Sequence, residues 1–314
     1  MSDPAQLKRE LAQQAVARGF DLLRVTSVDA VLGEARLHEQ WLQRGYGGDM
    51  HYLYRDPASR YDPRSLLPEC RSVIVLAASY HSGGPDLQSN GQGRVARYAW
   101  GDNYHNVLRP RLKELGHYLD TKIAGHIWRV TVDSSPLAEK AFAVAAGIGM
   151  RGRNSLVISR ELGSYFFLAC LLSSAELPVD EPVDYDCGTC SACVQACPQD
   201  ALTGPGILMA DRCISYITTE CKQPPDGTVD LQNWLFGCDT CQQVCPYNSA
   251  PLQTRIERFN PREGITELQA RDFLQMDDET FQQRFAGTVF IRRKFHRLRA
   301  AAEVIISQAG SRRD

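Results

Sequence analysis

Seven of the eleven cysteines fall in two short runs. Cys187-x2-Cys190-x2-Cys193-x3-Cys197 ends at Pro198, and Cys238-x2-Cys241-x3-Cys245 ends at Pro246. The first run has the spacing of a bacterial-type [4Fe–4S] ferredoxin, in which the fourth cysteine, next to proline, ligates the other cluster. A chain holding two such clusters must wrap short loops around iron and is suited to moving single electrons.

The second run lacks a cysteine three residues before Cys238, where Leu235 stands. Cys213, in Asp211-Arg-Cys-Ile-Ser215, is the natural replacement. Exchanging the fourth cysteines gives one set of Cys187, Cys190, Cys193 and Cys245, and a second of Cys197, Cys213, Cys238 and Cys241. Cys221 is a reserve ligand. Paired CxxC motifs also make structural zinc sites, but zinc explains neither a third cysteine in a run nor a proline after each terminal cysteine. Cys70 and Cys170 sit among apolar residues and read as small buried hydrophobes.

At 314 residues and 43% hydrophobic composition, the chain has room for one domain of about 180 residues and a smaller one. It shows no secretory leader and no apolar run approaching the roughly eighteen residues that span a bilayer. The expectation is a soluble, cytoplasmic protein with reduced cysteines, no membrane partner and a monomeric state. The net charge of −2 argues against a globally basic coat but allows a local basic face. One is offered by Arg292, Arg293, Lys294, His296, Arg297 and Arg299, which as a bare pattern is a solvated helix face.

Hydrophobic periodicity predicts helices over 5–18, 31–44 and 104–122, and strands over 20–26, 72–79 and 127–132. Pro136 suits the first turn of a helix running to Ala146, closed by Gly147. Residues 156–159 and 165–174 read as a pair of strands around a turn at Gly163, and 82–93 as a loop. Helices follow near 266–275 and 278–285, then a long basic one over about 291–308. Strands alternating with helices predict an α/β fold with a mixed sheet. The expected division is 1–178, 179–250 around the cysteines, and a helical segment 251–314.

No dinucleotide or P-loop fingerprint accompanies the cysteines: Gly147-x-Gly149-x-x-Gly152 follows a helix, not a strand. Other motifs do. Arg60-Tyr-Asp-Pro63, Leu66-Leu-Pro68, Tyr98-Ala-Trp-Gly101 with Tyr104-His105, Val132-Asp-Ser134, Ala146-Gly-Ile-Gly149, Gly163-Ser-Tyr165, Arg212-Cys-Ile-Ser215 and Gly237-Cys-Asp-Thr-Cys241 together resemble the epoxyqueuosine reductase family, from about residue 5 to 300. The resemblance implies a nitroreductase-like cobalamin-binding domain followed by a 2[4Fe–4S] ferredoxin domain and C-terminal helices. It implies reduction of the tRNA wobble nucleoside epoxyqueuosine to queuosine, with electrons from an external flavodoxin- or ferredoxin-type donor. Loss of an epoxide oxygen as water takes two electrons and two protons, so a cofactor that stores reducing power between single-electron arrivals suits the chemistry.

By the same resemblance, Asp133 is the proton donor, and Arg60, Asp133, Val157, Leu168, Ser215 and Asp239 contact cobalamin. The donor role asks for a carboxyl kept protonated, which burial favours; read from the residues alone, Asp133 could simply cap the next helix. The second cysteine set is expected nearer the cofactor. His105 is expected to face solvent or the cofactor's tail rather than bind cobalt. A tRNA substrate would give Arg292, Arg293, Lys294 and Arg297 phosphates to bind. The alternatives are an iron–sulfur electron carrier, or a cobalamin-dependent reductase of another substrate such as an organohalide.

Overall fold

The computed structural model describes residues 3–83, 93–204 and 206–311. Its central sheet is built on two eight-residue apolar runs. β2 (Ser72–Ser79) and β4 (Phe166–Ser173) pair antiparallel from Ser72↔Ser173 to Ser79↔Phe166. β1 (Leu22–Ser27) flanks β2 and β3 (Trp128–Thr131) flanks β4, both antiparallel, giving the order β1-β2-β4-β3. The sheet is therefore antiparallel throughout, not mixed. Continuous apolar runs report burial on both faces, which parallel strands usually have; here helices cover both faces of an antiparallel sheet.

Alternation sorts the side chains. Ile74, Leu76 and Ala78 with Phe167, Ala169 and Leu171 pack beneath α1 (Pro4–Ala17) and α3 (Tyr104–Asp120). Val73, Val75, Ala77, Cys170 and Leu172 face the opposite way, against α4 (Glu139–Ala145). The helix α2 (Ala35–Gln43) lies on the path from β1 to β2.

A third core joins distant parts of the chain. Ala96 and Trp100 pack with Trp234, Leu235 and Phe236, and with Phe273, Phe281, Phe285 and Leu298. The last four come from α6 (Ala270–Gln275), α7 (Asp278–Phe285) and α8 (Phe295–Ser311); α5 (Ile214–Thr219) contributes Ile214 and Ile217. Leu235, which stands where a cysteine would complete the second run, is fully buried here. Residues Arg94–Val95 pair in parallel with Trp234–Phe236.

Three local expectations change. Val157–Ile158 pairs with Met150–Arg151, and β4 pairs elsewhere; only a Ser159↔Gly163 bridge marks the expected turn. The helix expected from Pro136 begins at Glu139; ahead of it the Leu137 and Ala138 N–H groups donate to the Ser135 and Arg60 carbonyls, and Asp133 adopts a left-handed φ of +57° with its N–H on the Glu139 carboxyl. The basic helix begins only at Phe295, so Arg292, Arg293 and Lys294 precede it, in and after a single turn at Val289–Arg292. Most of the 82–93 loop lies outside the described residues.

Candidate active site

A cavity of about 800 Å3 opens between the α4 face and the segment around Ala210. Arg60, Asp133, Val157 and Leu168 all line it, with Tyr98, Tyr104, Glu139 and Lys140. Two sequence-predicted contacts do not. Asp239 is 1% exposed and accepts the Arg97 N–H at 2.6 Å and the Gln242 amide at 2.7 Å. Ser215 lies in the first turn of α5, outside the cavity-lining set, and its backbone N–H hydrogen-bonds toward Cys213.

Asp133 is held from several sides. Its N–H donates to both Glu139 oxygens at 2.9 and 3.0 Å, and the Thr131 hydroxyl donates to the same carboxyl at 3.0 Å. The Tyr104 hydroxyl donates to Asp133 Oδ2 at 2.8 Å. His105 Nε2 lies 3.4 Å from that oxygen and the Arg292 guanidinium 3.5 Å. The side chain retains 54% of its surface and lines the open cavity. It caps no helix: α4 has no side-chain cap.

These partners set the charges. Burial would raise the Asp133 carboxyl, but its hydrogen-bonding and cationic neighbours outweigh it and favour the ionised form in this arrangement, whereas the donor role asks for a protonated one. Burial, helped by the neighbouring Asp133 charge, pushes Glu139 up to about 8. Desolvation within the cavity lowers the Lys140 amine, whose Nζ donates to the Ser155 carbonyl at 3.3 Å. His105 is buried rather than solvent-facing. Its Nδ1 meets the Val132 carbonyl at 3.0 Å and its Nε2 meets Arg292 Nη1 at 2.6 Å, so both ring nitrogens are engaged.

Cys187, Cys190, Cys193 and Cys245 line one small pocket. In the second group Cys197 with Cys213, Cys213 with Cys238, and Cys241 with both Cys213 and Cys238 lie within electrostatic reach, each charge disfavouring the other. Burial pushes Cys238 up to about 12, the cost of gathering thiols that a cluster's iron would offset. Among the described residues no group of three His, Cys, Asp or Glu side chains could hold a lone metal ion; a cubane asks for sulfurs spread over separate irons. Cys221 stands apart, 4.0 Å from Asp49.

The basic segment divides. Arg293 is 3% exposed and donates to the Cys221 and Ile217 carbonyls, which removes it from the phosphate-facing surface. Arg297 shares the Cys221 carbonyl, Arg292 turns to Asp133, and Lys294 is exposed.

Known proteins match this arrangement along nearly its whole length. The epoxyqueuosine reductase of Leadbetterella byssophila is 36% identical over 293 residues, 93% of this chain and 95% of its own. This chain belongs to the epoxyqueuosine reductase family. The family model described as epoxyqueuosine reductase QueG, DUF1730, matches residues 60–134, and a 4Fe–4S double cluster binding domain matches 186–248. The structure of the Streptococcus thermophilus epoxyqueuosine reductase superposes with a TM-score of 0.86 at 28% identity, covering 96% of this chain and 80% of that one. An epoxyqueuosine reductase crystallised with an epoxyqueuosine-modified tRNA-Tyr stem loop gives 0.85 at 30%, covering 97% and 82%.

The α/β reductase with its double-cluster segment is thus an oxidoreductase carrying two [4Fe–4S] clusters. The cavity lining suits the corrin of cobalamin: the wall includes Tyr61, Phe166, Phe167 and Leu168, aromatic and apolar surface for a large flat ring. His38, also in the wall, leaves Nδ1 buried with no protein partner, ready for a ligand's polar group. Sequence reasoning missed Glu139, Lys140 and Tyr104 as site members. Tyr104 sits beside the quoted His105, but nothing in the pattern signals an acid that binds a backbone N–H.

Proposed function

We propose that this chain reduces the epoxide of epoxyqueuosine in a tRNA anticodon to the alkene of queuosine. The observation that carries the reading is Asp133, held by the Tyr104 hydroxyl and the Glu139 carboxyl in the wall of a cofactor-sized cavity. When bound, cobalamin supplies a strongly nucleophilic reduced metal, fed one electron at a time by the clusters.

The chain's own residues handle the protons and the fit. Arg60, Val157 and Leu168 hold the cofactor from the wall. Glu139 fixes the Asp133 main chain, Tyr104 and His105 aim its carboxyl, and that carboxyl, once protonated, gives its proton to the epoxide oxygen. Cluster one is ligated by Cys187, Cys190, Cys193 and Cys245. Cluster two, by Cys197, Cys213, Cys238 and Cys241, is the nearer to the cavity. Residues 1–178 form the cofactor-binding part and 179–250 the cluster part; in 251–314, Lys294 and Arg292 face tRNA phosphate. The donor is a one-electron protein of flavodoxin or ferredoxin type, and the enzyme works as a cytoplasmic monomer. No helix among the described residues is long and apolar enough to cross a membrane.

Reconstituted enzyme with cobalamin, clusters and a chemical reductant, given tRNA from cells lacking the gene, should convert epoxyqueuosine to queuosine in nucleoside digests. Unchanged epoxyqueuosine with a fully loaded, reduced enzyme refutes the reading.

A further inference from the structure

Arg292 is delivered to Asp133 from the far end of the chain, between two buried anchors. Val289 and Phe290 are buried, with Phe290 stacked on Phe236 and Phe285. Arg293, immediately after, is buried and tied to two carbonyls. Between them the Arg292 side chain keeps 54% of its surface and still reaches His105 and Asp133.

The hydrogen positions follow from the partners. The Val132 carbonyl can only accept, so His105 Nδ1 carries a proton. A guanidinium can only donate, so at 2.6 Å from Arg292 Nη1 the His105 Nε2 is bare. Nε2 therefore accepts from Arg292 and donates nothing across the 3.4 Å gap to Asp133 Oδ2. Arg292 thus occupies the place where a proton shared by His105 and Asp133 would sit. Its contacts here are one imidazole nitrogen and the edge of one carboxylate, whereas a phosphate can take two parallel N–H bonds from a guanidinium.

We propose that Arg292 is a positioning residue that couples tRNA seating to protonation of the site. An arriving backbone phosphate draws the guanidinium off His105 and Asp133, and one solvent proton then enters the gap between Nε2 and Oδ2. This rests on the tRNA reading above. The proton joins the His105–Asp133 pair as a unit, and it is one of the two that leave with the epoxide oxygen as water. The other charged and titratable groups around Asp133 are Tyr104 on α3, Glu139 and Lys140 on α4, Arg60, Tyr98, Tyr52, and Glu220 after α5. Glu220 also feels the Arg292 charge, so Asp133→Asn separates its protonation from that of the pair.

The test is proton linkage. Calorimetric titration of cobalamin- and cluster-loaded enzyme, without reductant, with an epoxyqueuosine stem loop in buffers of different ionisation enthalpy counts protons taken up per RNA bound. Wild type at neutral pH should take up close to one. Arg292→Gln should take up little, because without the guanidinium Nε2 is free to hold the proton shared with Oδ2 before the RNA arrives. Arg292→Lys should restore part of the uptake, and Asp133→Asn should abolish it. Tight binding with no uptake in wild type, or equal uptake in Arg292→Gln, overturns the coupling alone. Failure of the RNA to bind loaded wild type overturns the tRNA reading with it.

Discussion

Arg293 separates a structural arginine from an RNA-binding one, and the two roles predict opposite results. The Arg293→Met variant removes both hydrogen bonds to the Cys221 and Ile217 carbonyls. Ile217 is left without its charged donor, at about 1.5–3 kcal/mol. Cys221 keeps Arg297 at 3.2 Å, so its share is about 1 kcal/mol. Against this, the guanidinium is no longer desolvated; burial lowers it to about 10, and its relief returns about 1–2 kcal/mol. The net loss is about 2 kcal/mol. For 314 residues, an unfolding entropy of about 2.1 cal/mol/K per residue gives about 0.66 kcal/mol/K, so Tm should fall by about 3 °C. Thermal unfolding of loaded enzyme measures this, and the slope of log Kd for tRNA against log salt measures the other role. That slope should be unchanged. An unaltered Tm with a slope smaller by about 0.7–0.9, one phosphate's worth, would refute the structural assignment.

Two further outcomes follow from the site. Cys213→Ser should cost about four of about eight irons per chain, while Cys221→Ser keeps the full count, as read by iron analysis and the visible spectrum; equal losses would return Cys221 to the ligand set. Glu139, raised to about 8, keeps its proton in the native state where an unfolded carboxyl near 4.5 has lost it. The native chain therefore binds more protons between about pH 4.5 and 8, and this group's contribution to stability declines as pH rises through that window. Glu139→Gln removes that decline, so its Tm should gain on wild type from pH 5 to 8; parallel curves would show that Glu139 is ionised throughout.

What the sequence disclosed depended on how local the constraint was. Cysteine spacing is imposed by covalent ligation within a few residues, and the structure gathers Cys187, Cys190, Cys193 and Cys245 around one pocket. The runs at 72–79 and 166–173 were plain because each is buried on both faces. Their direction was not, since burial does not encode polarity and the connections do. Asp133 was found through its motif, but its charge state depends on Arg292, which arrives from another part of the fold. Arg292 and Arg293 are adjacent and chemically identical, yet one turns to Asp133 and His105 and the other enters the core; a charge run cannot distinguish them. Leu235 is the reverse case. Its absence from the ligand set looked like a gap in the cysteine pattern, and the core explains it.

The parallel pairing of Arg94–Val95 with Trp234–Phe236 bears on how such an enzyme could arise or be rebuilt. The residues that carry electrons are not a cassette plugged into a finished catalytic body, because Ala96 and Trp100 from the first half fill the core that Trp234 and Phe236 close. Severing the chain between them would leave an open strand edge and bare aromatic surface on both fragments. A ferredoxin grafted onto the first half would inherit neither the ladder nor the packing, so wiring and catalyst share one core.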